Sequence, residues 1–166
     1  MTTVNTILKV IKNGKVEYEQ EAKSWLWNFF KLLMGILRDE NVSAKEIGGT
    51  LVTLQTSGYI SKSIGQICLG TDNTSPSFSD YKLKNEVYTA SMTYDYVTIE
   101  NGIKLRFYIQ YTPSMAIDIW EIGLKFWLYT TTANALFLML RDTFSSPSHH
   151  EANEAKIYMI EVNIVA

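Results

Sequence analysis

Apolar and polar residues alternate along most of this chain, which is typical of strands that bury one face. Residues 103–111 show the clearest alternation, with an apolar side chain at every second position. Residues 4–10 and 15–20 alternate in the same way on either side of Asn13-Gly14, a pair favoured in type I′ hairpin turns. Asn101-Gly102 predicts a second turn of this type. With the remaining strand-like segments, these patterns predict about nine short strands.

One segment, at about residues 21–38, has helical spacing instead. Ala22, Trp25, Phe29 and Leu33 recur at intervals of three or four residues, as on one face of a helix. A second apolar face is formed by three further side chains, namely Trp27, Phe30 and Met34. A helix that is apolar on two sides is expected to be buried on both. It either closes the end of a sheet or presents its second face to a neighbouring subunit or a membrane surface.

Strands and helices do not alternate elsewhere in the sequence, which argues against a parallel sheet. We predict a mainly all-β fold, an antiparallel β-sandwich of jelly-roll or immunoglobulin-like type with one helix. A single domain is expected over residues 1–166. Within it, residues 1–40 supply the hairpin and the helix, and residues 45–166 supply the main sandwich.

Composition indicates surplus apolar surface. Charged residues make up 19% of the chain and aromatic residues 13%, so more apolar surface is present than a monomer needs. Tyr and Trp are enriched at subunit interfaces, and we expect an oligomer interface among the residues on second apolar faces, which are Trp27, Phe30, Met34, Trp127 and Phe137. The net charge of −2 gives no reason to expect nucleic acid as a partner. The longest apolar stretch, residues 25–37, is too short to span a membrane, but contact with a membrane surface stays open.

Few residues could carry chemistry. Cys68 is the only cysteine, so no intrachain disulfide can form, and we interpret it as a core residue. His149-His150-Glu151 is interpreted as a solvated loop, because adjacent residues rarely bind one metal ion. Asp72 and Asp80 lie in a turn-rich loop, where side-chain hydrogen bonds are a simpler role than calcium binding. No metal or cofactor is therefore expected.

The charged residues on the predicted strands are interpreted as exposed surface residues. Glu121 and Glu161 could form a catalytic pair, but nothing in the sequence brings them together, so we expect two exposed carboxylates and no catalytic residue. Lys104, Arg106 and Tyr108 share a strand face and are interpreted as exposed sheet surface. Two acceptor patterns for N-glycosylation begin at Asn41 and Asn73, and whether they are used depends on the host.

Three segments in a fixed order carry a family resemblance. The first is a Gly-Thr-rich loop, residues 69–76, which leads into Asp-Tyr-Lys-Leu-Lys-Asn-Glu at 80–86. Glu-Ile-Gly-Leu follows at 121–124, and Leu-Met-Leu-Arg-Asp-Thr-Phe-Ser at 138–145. This order resembles small β-sandwich virion proteins of double-stranded DNA viruses. It is similar to tail-fibre and collar-like domains of tailed phages and to turret-type jelly-roll proteins of archaeal viruses.

In those proteins a G-T-G-T-x-x-P-x-x-x-D-x-x-L-x-N-E loop precedes an E-I-G-L-F strand and an L-x-A-R-x-x-F-S strand. This chain departs from the pattern at Asp72, which replaces the second glycine, and at Lys125, which stands between Leu124 and Phe126. The resemblance covers about residues 65–166, with weaker similarity in the N-terminal hairpin and helix.

The resemblance implies a non-enzymatic, oligomeric component of a virion, of capsid, turret or tail-fibre type. Such a protein acts in particle assembly or host attachment, is located in the virion, and binds copies of itself and other virion proteins. The alternative is a carbohydrate-binding β-sandwich module. There Trp120, Trp127 or Tyr108 would stack on the sugar rings of a ligand such as a host surface glycan. A Cys- or metal-dependent enzyme is a third, less favoured class.

Overall fold

The computed structural model describes residues 3–55 and 65–165. Antiparallel strands make up most of this part of the chain, so the predicted mainly-β fold is confirmed. The elements are β1 (Thr3–Lys12), β2 (Lys15–Ala22), α1 (Trp27–Arg38), β3 (Val42–Lys45), β4 (Leu51–Leu54), β5 (Gln66–Gly70), β6 (Glu86–Ser91), β7 (Thr93–Ile99), β8 (Gly102–Tyr111), β9 (Ile117–Tyr129), β10 (Asn134–His150) and β11 (Lys156–Val165).

The strands form a sandwich of two sheets with a small third sheet beside it. The five-stranded sheet has the order β2-β1-β11-β8-β7, and the four-stranded sheet has the order β10-β9-β5-β6. The chain passes from one sheet to the other at Met92, between β6 and β7. β3 pairs only with β4 in the described part of the chain. β1 lies between β2 and β11, so the N-terminal hairpin is built into the main sandwich.

Three hydrophobic clusters support this arrangement in the described residues, and the smallest of them contains Cys68. The main core lies between the two large sheets and includes Leu8 of β1, Tyr158 of β11 and Ile122 of β9, all fully buried. The second core is smaller and combines Ala44, Leu54, Leu128, Phe137 and Met139. Phe29 and Leu32 of α1 pack against this second core. The helix and the β3–β4 hairpin therefore cover one end of β9 and β10.

The first predicted hairpin is confirmed and the second has a different turn. Asn13 and Gly14 have φ angles of 50° and 76°, as a type I′ turn requires. At the second hairpin Ile99 pairs with Gly102, so the turn residues are Glu100 and Asn101, and neither has a positive φ. Gly102 lies in β8, where an added Cβ would be 2.0 Å from the carbonyl oxygen of Ile164. Close approach of the backbone, and not turn geometry, is the reason for glycine there.

The predicted helix starts six residues late. Residues 21 and 22 continue β2 because its ladder with β1 extends to the pair Thr6 and Ala22. The chain then crosses to β10, where the Leu26 N–H donates to the carbonyl of Met139 at 2.8 Å. Only after this contact does α1 begin, at Trp27. It ends at Arg38, and the φ of 53° at the capping residue Asp39 lets the Glu40 N–H donate to the Gly35 carbonyl at 3.0 Å.

Candidate functional site

The helix α1 carries apolar side chains on both faces, since Phe29 and Leu32 pack against the second core while other apolar side chains face solvent. Its two buried residues are Asn28 and Gly35. The Asn28 amide donates to the carbonyls of Lys45 and Leu138 at 2.8 and 3.2 Å and accepts from the Lys45 N–H at 3.2 Å. This side chain holds the helix against β3 and β10 by hydrogen bonds.

The opposite face of α1 is apolar and faces solvent. At 100° per residue, five side chains occupy an arc of about 120° with no polar residue between them. They are Trp27, Phe30, Leu33, Met34 and Leu37, with exposed fractions of 51%, 38%, 41%, 42% and 72%. A helix face directed at solvent is normally polar. An uninterrupted apolar arc of this kind marks a contact surface.

Phe78 extends this arc beyond the helix. Its ring centroid lies 4.8 Å from that of Trp27 and 5.6 Å from that of Phe30, and the side chain is 49% exposed. The Trp27 N–H donates to the Phe78 carbonyl at 3.1 Å, which fixes the loop to the start of the helix. We call these six residues the α1 surface; they are Trp27, Phe30, Leu33, Met34, Leu37 and Phe78.

Four of the five predicted interface residues are exposed. Trp27, Phe30 and Met34 lie on the α1 surface, and Trp127 lies on β9 with 37% of its surface exposed. Phe137 is fully buried, so its placement in an interface was wrong. The reason is that the β3–β4 hairpin and α1 cover this end of β10 and enclose Phe137 in the second core. Alternation along β10 could not reveal that both of its faces are covered.

The three segments that carry the family resemblance meet at Arg141. This side chain is fully buried, and its Nε donates to Glu121 Oε2 at 2.8 Å. One terminal nitrogen donates to Asp80 Oδ2 at 3.0 Å, and the other donates to the Thr74 carbonyl at 3.1 Å and lies 3.5 Å from Asp72 Oδ1. Arg141 thus joins the loop between β5 and β6 to the outer face of the four-stranded sheet.

Glu121 completes this network from the sheet side. It accepts the backbone N–H groups of Asn85 at 2.9 Å and Lys84 at 3.2 Å in addition to the Arg141 guanidinium. Glu121 is fully buried, so the expectation of an exposed carboxylate was wrong. Sequence alternation placed Glu121 on the outer face of the sheet but gave no sign that a loop covers that face.

The two aspartates of the loop are held by hydrogen bonds, as predicted for Asp72. Asp72 accepts the Thr74 N–H at 2.9 Å, and the Thr74 hydroxyl and backbone lower its pKa. Burial alone would raise the pKa of Asp80, but the Ser77 N–H, Lys84 and Arg141 outweigh it and lower the pKa. Both carboxylates are therefore ionised partners of a cation that belongs to the chain itself.

Glu161 has a separate set of partners on the five-stranded sheet. It is also buried, contrary to expectation, and lies 3.3 Å from Lys9 Nζ and 3.2 Å from Lys104 Nζ. Burial opposes ionisation, but the two lysines hold its pKa below the ordinary value. Glu121 belongs to the other sheet, so each of the two glutamates is engaged in its own ion pairs.

The expected exposed face of Lys104, Arg106 and Tyr108 is half-buried. Lys104 lies beside Glu161, and Arg106 forms a two-point pair with Asp95, with one N–O distance of 2.9 Å. Both cations, Lys104 and Arg106, thus have carboxylate partners.

The two histidines differ in exposure, and neither lies in the predicted loop, because β10 extends to His150. His149 is exposed beside Asp118 and Glu151, which raise its pKa. His150 is fully buried at the end of β10, with Nδ1 3.0 Å from the Glu154 carbonyl and Nε2 2.7 Å from the Tyr158 hydroxyl. Burial lowers the pKa of His150. Residues 3–55 and 65–165 contain no group of three side chains arranged to hold a metal ion.

Cys68 is fully buried with Leu26, Leu83 and Leu138, so its interpretation as a core residue is confirmed. Burial raises the pKa of its thiol. Within the described residues, no helix is both long and apolar enough to cross a membrane.

The three residues expected to stack on sugars are distributed over two sheets. Trp120 and Trp127 are seven residues apart on β9, a separation of about 23 Å along an extended strand. Tyr108 lies on β8, in the other large sheet. The asparagines of the two glycosylation patterns, Asn41 and Asn73, are both exposed.

Comparison with protein-family models, with curated proteins and with solved structures finds no match to this chain.

Proposed function

We propose that this chain is a non-enzymatic structural protein of a virion, which acts as an oligomer in particle assembly or host attachment. The observation that carries the proposal is the α1 surface. Its five helix residues form an apolar arc that faces solvent, while the polar Asn28 of the same helix is buried and hydrogen-bonded within the chain. A protein that works alone gains nothing from this arrangement, because exposed apolar side chains lower solubility.

The α1 surface has the composition of a protein–protein contact. Aromatic residues and methionine are enriched at the buried centres of interfaces, and Trp27, Phe30, Met34 and Phe78 are of these types. Lys31 and Arg38 lie next to the arc on the helix, at the positions where an interface has its polar rim. A second copy of the chain or a neighbouring virion protein is the proposed partner.

The Arg141 network supports a structural role for the segments that resemble virion proteins. Their polar residues Asp72, Asp80, Glu121 and Arg141 bind one another inside the fold. A loop fixed in this way gives a rigid surface, as a repeated building block requires. The assignment to a virion rests on the resemblance, and no cofactor is part of the proposal.

The interface is tested by measuring molar mass with light scattering after size-exclusion chromatography. Met34→Lys introduces a charge into the α1 surface and is expected to lower the mass of the assembly. Met115→Lys is the matched control, because it makes the same change at a side chain that is 74% exposed outside the α1 surface. Equal masses for the wild type and both variants would contradict the α1 surface as a contact between copies of the chain.

The location is tested on particles. Antibodies against the chain, used for immunogold labelling of particles purified from cells that express it, are expected to label the particle surface. Recovery of the chain only in the particle-free fraction would contradict a role as virion component.

A further inference from the structure

The two edges of the five-stranded sheet differ in how they are protected. At one edge, β2 carries charged side chains at every second position from Lys15 to Glu21. Charges of this kind prevent a further strand from pairing with an edge. At the other edge, β7 has the sequence Thr-Tyr-Asp-Tyr-Val-Thr-Ile, which contains neither lysine nor proline. Its single charge, Asp95, is neutralised by Arg106 on the neighbouring β8.

The side chains of β7 are exposed even on the face that turns toward the core. Tyr94 and Tyr96 lie opposite Phe107 and Leu105 of β8 in the register of the sheet. Phe107 packs against the main core, yet Tyr94 and Tyr96 are 72% and 70% exposed. The four-stranded sheet therefore does not extend over β7. Within the described residues, β7 pairs only with β8, so alternate N–H and C=O groups along its outer edge point away from the sheet.

We propose that β7 pairs with β7 of a second copy of the chain, antiparallel about a two-fold axis, which joins the two five-stranded sheets into one. This proposal names a contact for the oligomer proposed above and rests on that proposed function.

The sequence of β7 is compatible with itself in this pairing. With the axis at Tyr96, each Asp95 lies opposite Val97 of the other copy, and each Tyr94 lies opposite Thr98. The two Tyr96 side chains then face each other on the uncovered side of the sheet. Aromatic and β-branched cross-strand pairs are favourable, and no like charges meet. An axis at Asp95 would instead place two carboxylates opposite each other, which disfavours that register. A two-fold contact uses the same strand of both copies and closes as a dimer.

The test compares the two edges of the same sheet. Tyr96→Lys adds a charge to β7, and Val16→Lys adds one to β2 at a side chain that is 52% exposed. We expect Tyr96→Lys to halve the molar mass measured by light scattering and Val16→Lys to leave it unchanged. A second variant, Tyr96→Cys, is expected to form a covalent dimer under mild oxidation, while Val16→Cys stays monomeric in denaturing electrophoresis. Cys68 is buried and serves as the internal control for unspecific oxidation.

The results for these variants distinguish the β7 contact from a contact through the α1 surface. An unchanged mass for Tyr96→Lys, with no covalent dimer of Tyr96→Cys, would overturn the β7 contact. If Met34→Lys lowers the mass in that case, the proposed function stands without it. A fall in mass for Tyr96→Lys alone supports β7 and contradicts the α1 surface as a contact between copies. If the wild type has the monomer mass of 19.0 kDa at every concentration, both the β7 contact and the α1 surface are overturned as contacts between copies.

Discussion

Arg141 and Glu121 form an ion pair in which neither side chain has any exposed surface, with 2.8 Å between Nε and Oε2. A buried pair of this kind depends on further hydrogen bonds, because removing two charges from water is costly. Glu121 has them from the backbone of residues 84 and 85, and Arg141 has them from Asp80 and Thr74. The pair therefore fixes the loop between β5 and β6 on the sheet, and Phe78 of the α1 surface is part of that loop.

Removal of the cation is expected to destabilise the fold strongly. Arg141→Met keeps the length of the side chain but leaves the carboxylates of Glu121 and Asp80 buried without it, which costs about 3–5 kcal/mol. Arg106→Met is the matched control, because the Arg106–Asp95 pair is about one third exposed and such pairs contribute about 0–1 kcal/mol. Denaturant unfolding of the two variants measures both changes. Similar losses would mean that the Arg141 network is not buried in solution.

The sequence could predict the strands of this fold but not what covers them. Alternation correctly placed Glu121 and Gly123 on one face of β9, opposite the core residue Ile122. That face is exposed in an ordinary sandwich, and the sequence therefore suggested a solvated glutamate. It is buried because residues 70–85 pack onto it. Their packing depends on contacts with Arg141 that are far apart in sequence, which local periodicity does not encode.

The helix shows the same division between local and long-range information. Apolar spacing predicted a helix with two apolar faces, but Leu33, which was predicted to share a face with Phe29, lies on the exposed α1 surface. Periodicity did not show that Ala22 belongs to β2, because pairing with Thr6 of β1 outweighs the helical preference of that residue. Nor did it identify Asn28 as the buried contact. A polar residue in an otherwise apolar stretch could have indicated a buried hydrogen-bonding side chain. The neighbouring residues Trp27 and Phe30 did not by themselves indicate that Asn28 is buried.

The two glycines of the hairpins are expected to respond differently to asparagine. Asn is accepted at positive φ in a type I′ turn, so Gly14→Asn should cost about 1 kcal/mol or less. Gly102→Asn should cost at least about 2 kcal/mol, because its Cβ would meet the Ile164 carbonyl oxygen. Thermal unfolding of both variants gives the comparison. If Gly102→Asn were as well tolerated as Gly14→Asn, the second turn would be of type I′ after all.

Replacement of Asn28 by a better helix former is expected to weaken the protein. Asn28→Leu raises helix propensity and apolarity, but it leaves the Lys45 N–H and the carbonyls of Lys45 and Leu138 without this partner. Leaving these three buried groups without a partner costs about 2–4 kcal/mol in total. Asn73→Leu, at an exposed loop position, should change stability by about 0.5 kcal/mol or less. The free energies of unfolding in urea check this, and equal values would contradict the role given to Asn28.

His150 and His149 are adjacent but should give stability opposite dependences on pH. Burial lowers the pKa of His150 in the folded state. Its contribution to stability is therefore complete above the ordinary histidine pKa of about 6.5 and is lost as the pH falls through the lowered value. Asp118 and Glu151 raise the pKa of His149, so its contribution is present below about 6.5 and is lost as the pH rises through the raised value. Urea unfolding between about pH 7.5 and about pH 5 should accordingly show a smaller loss of stability on acidification for His150→Asn than for the wild type, and a larger loss for His149→Asn. The same pH profile for both variants would show that His150 is not buried as a neutral side chain.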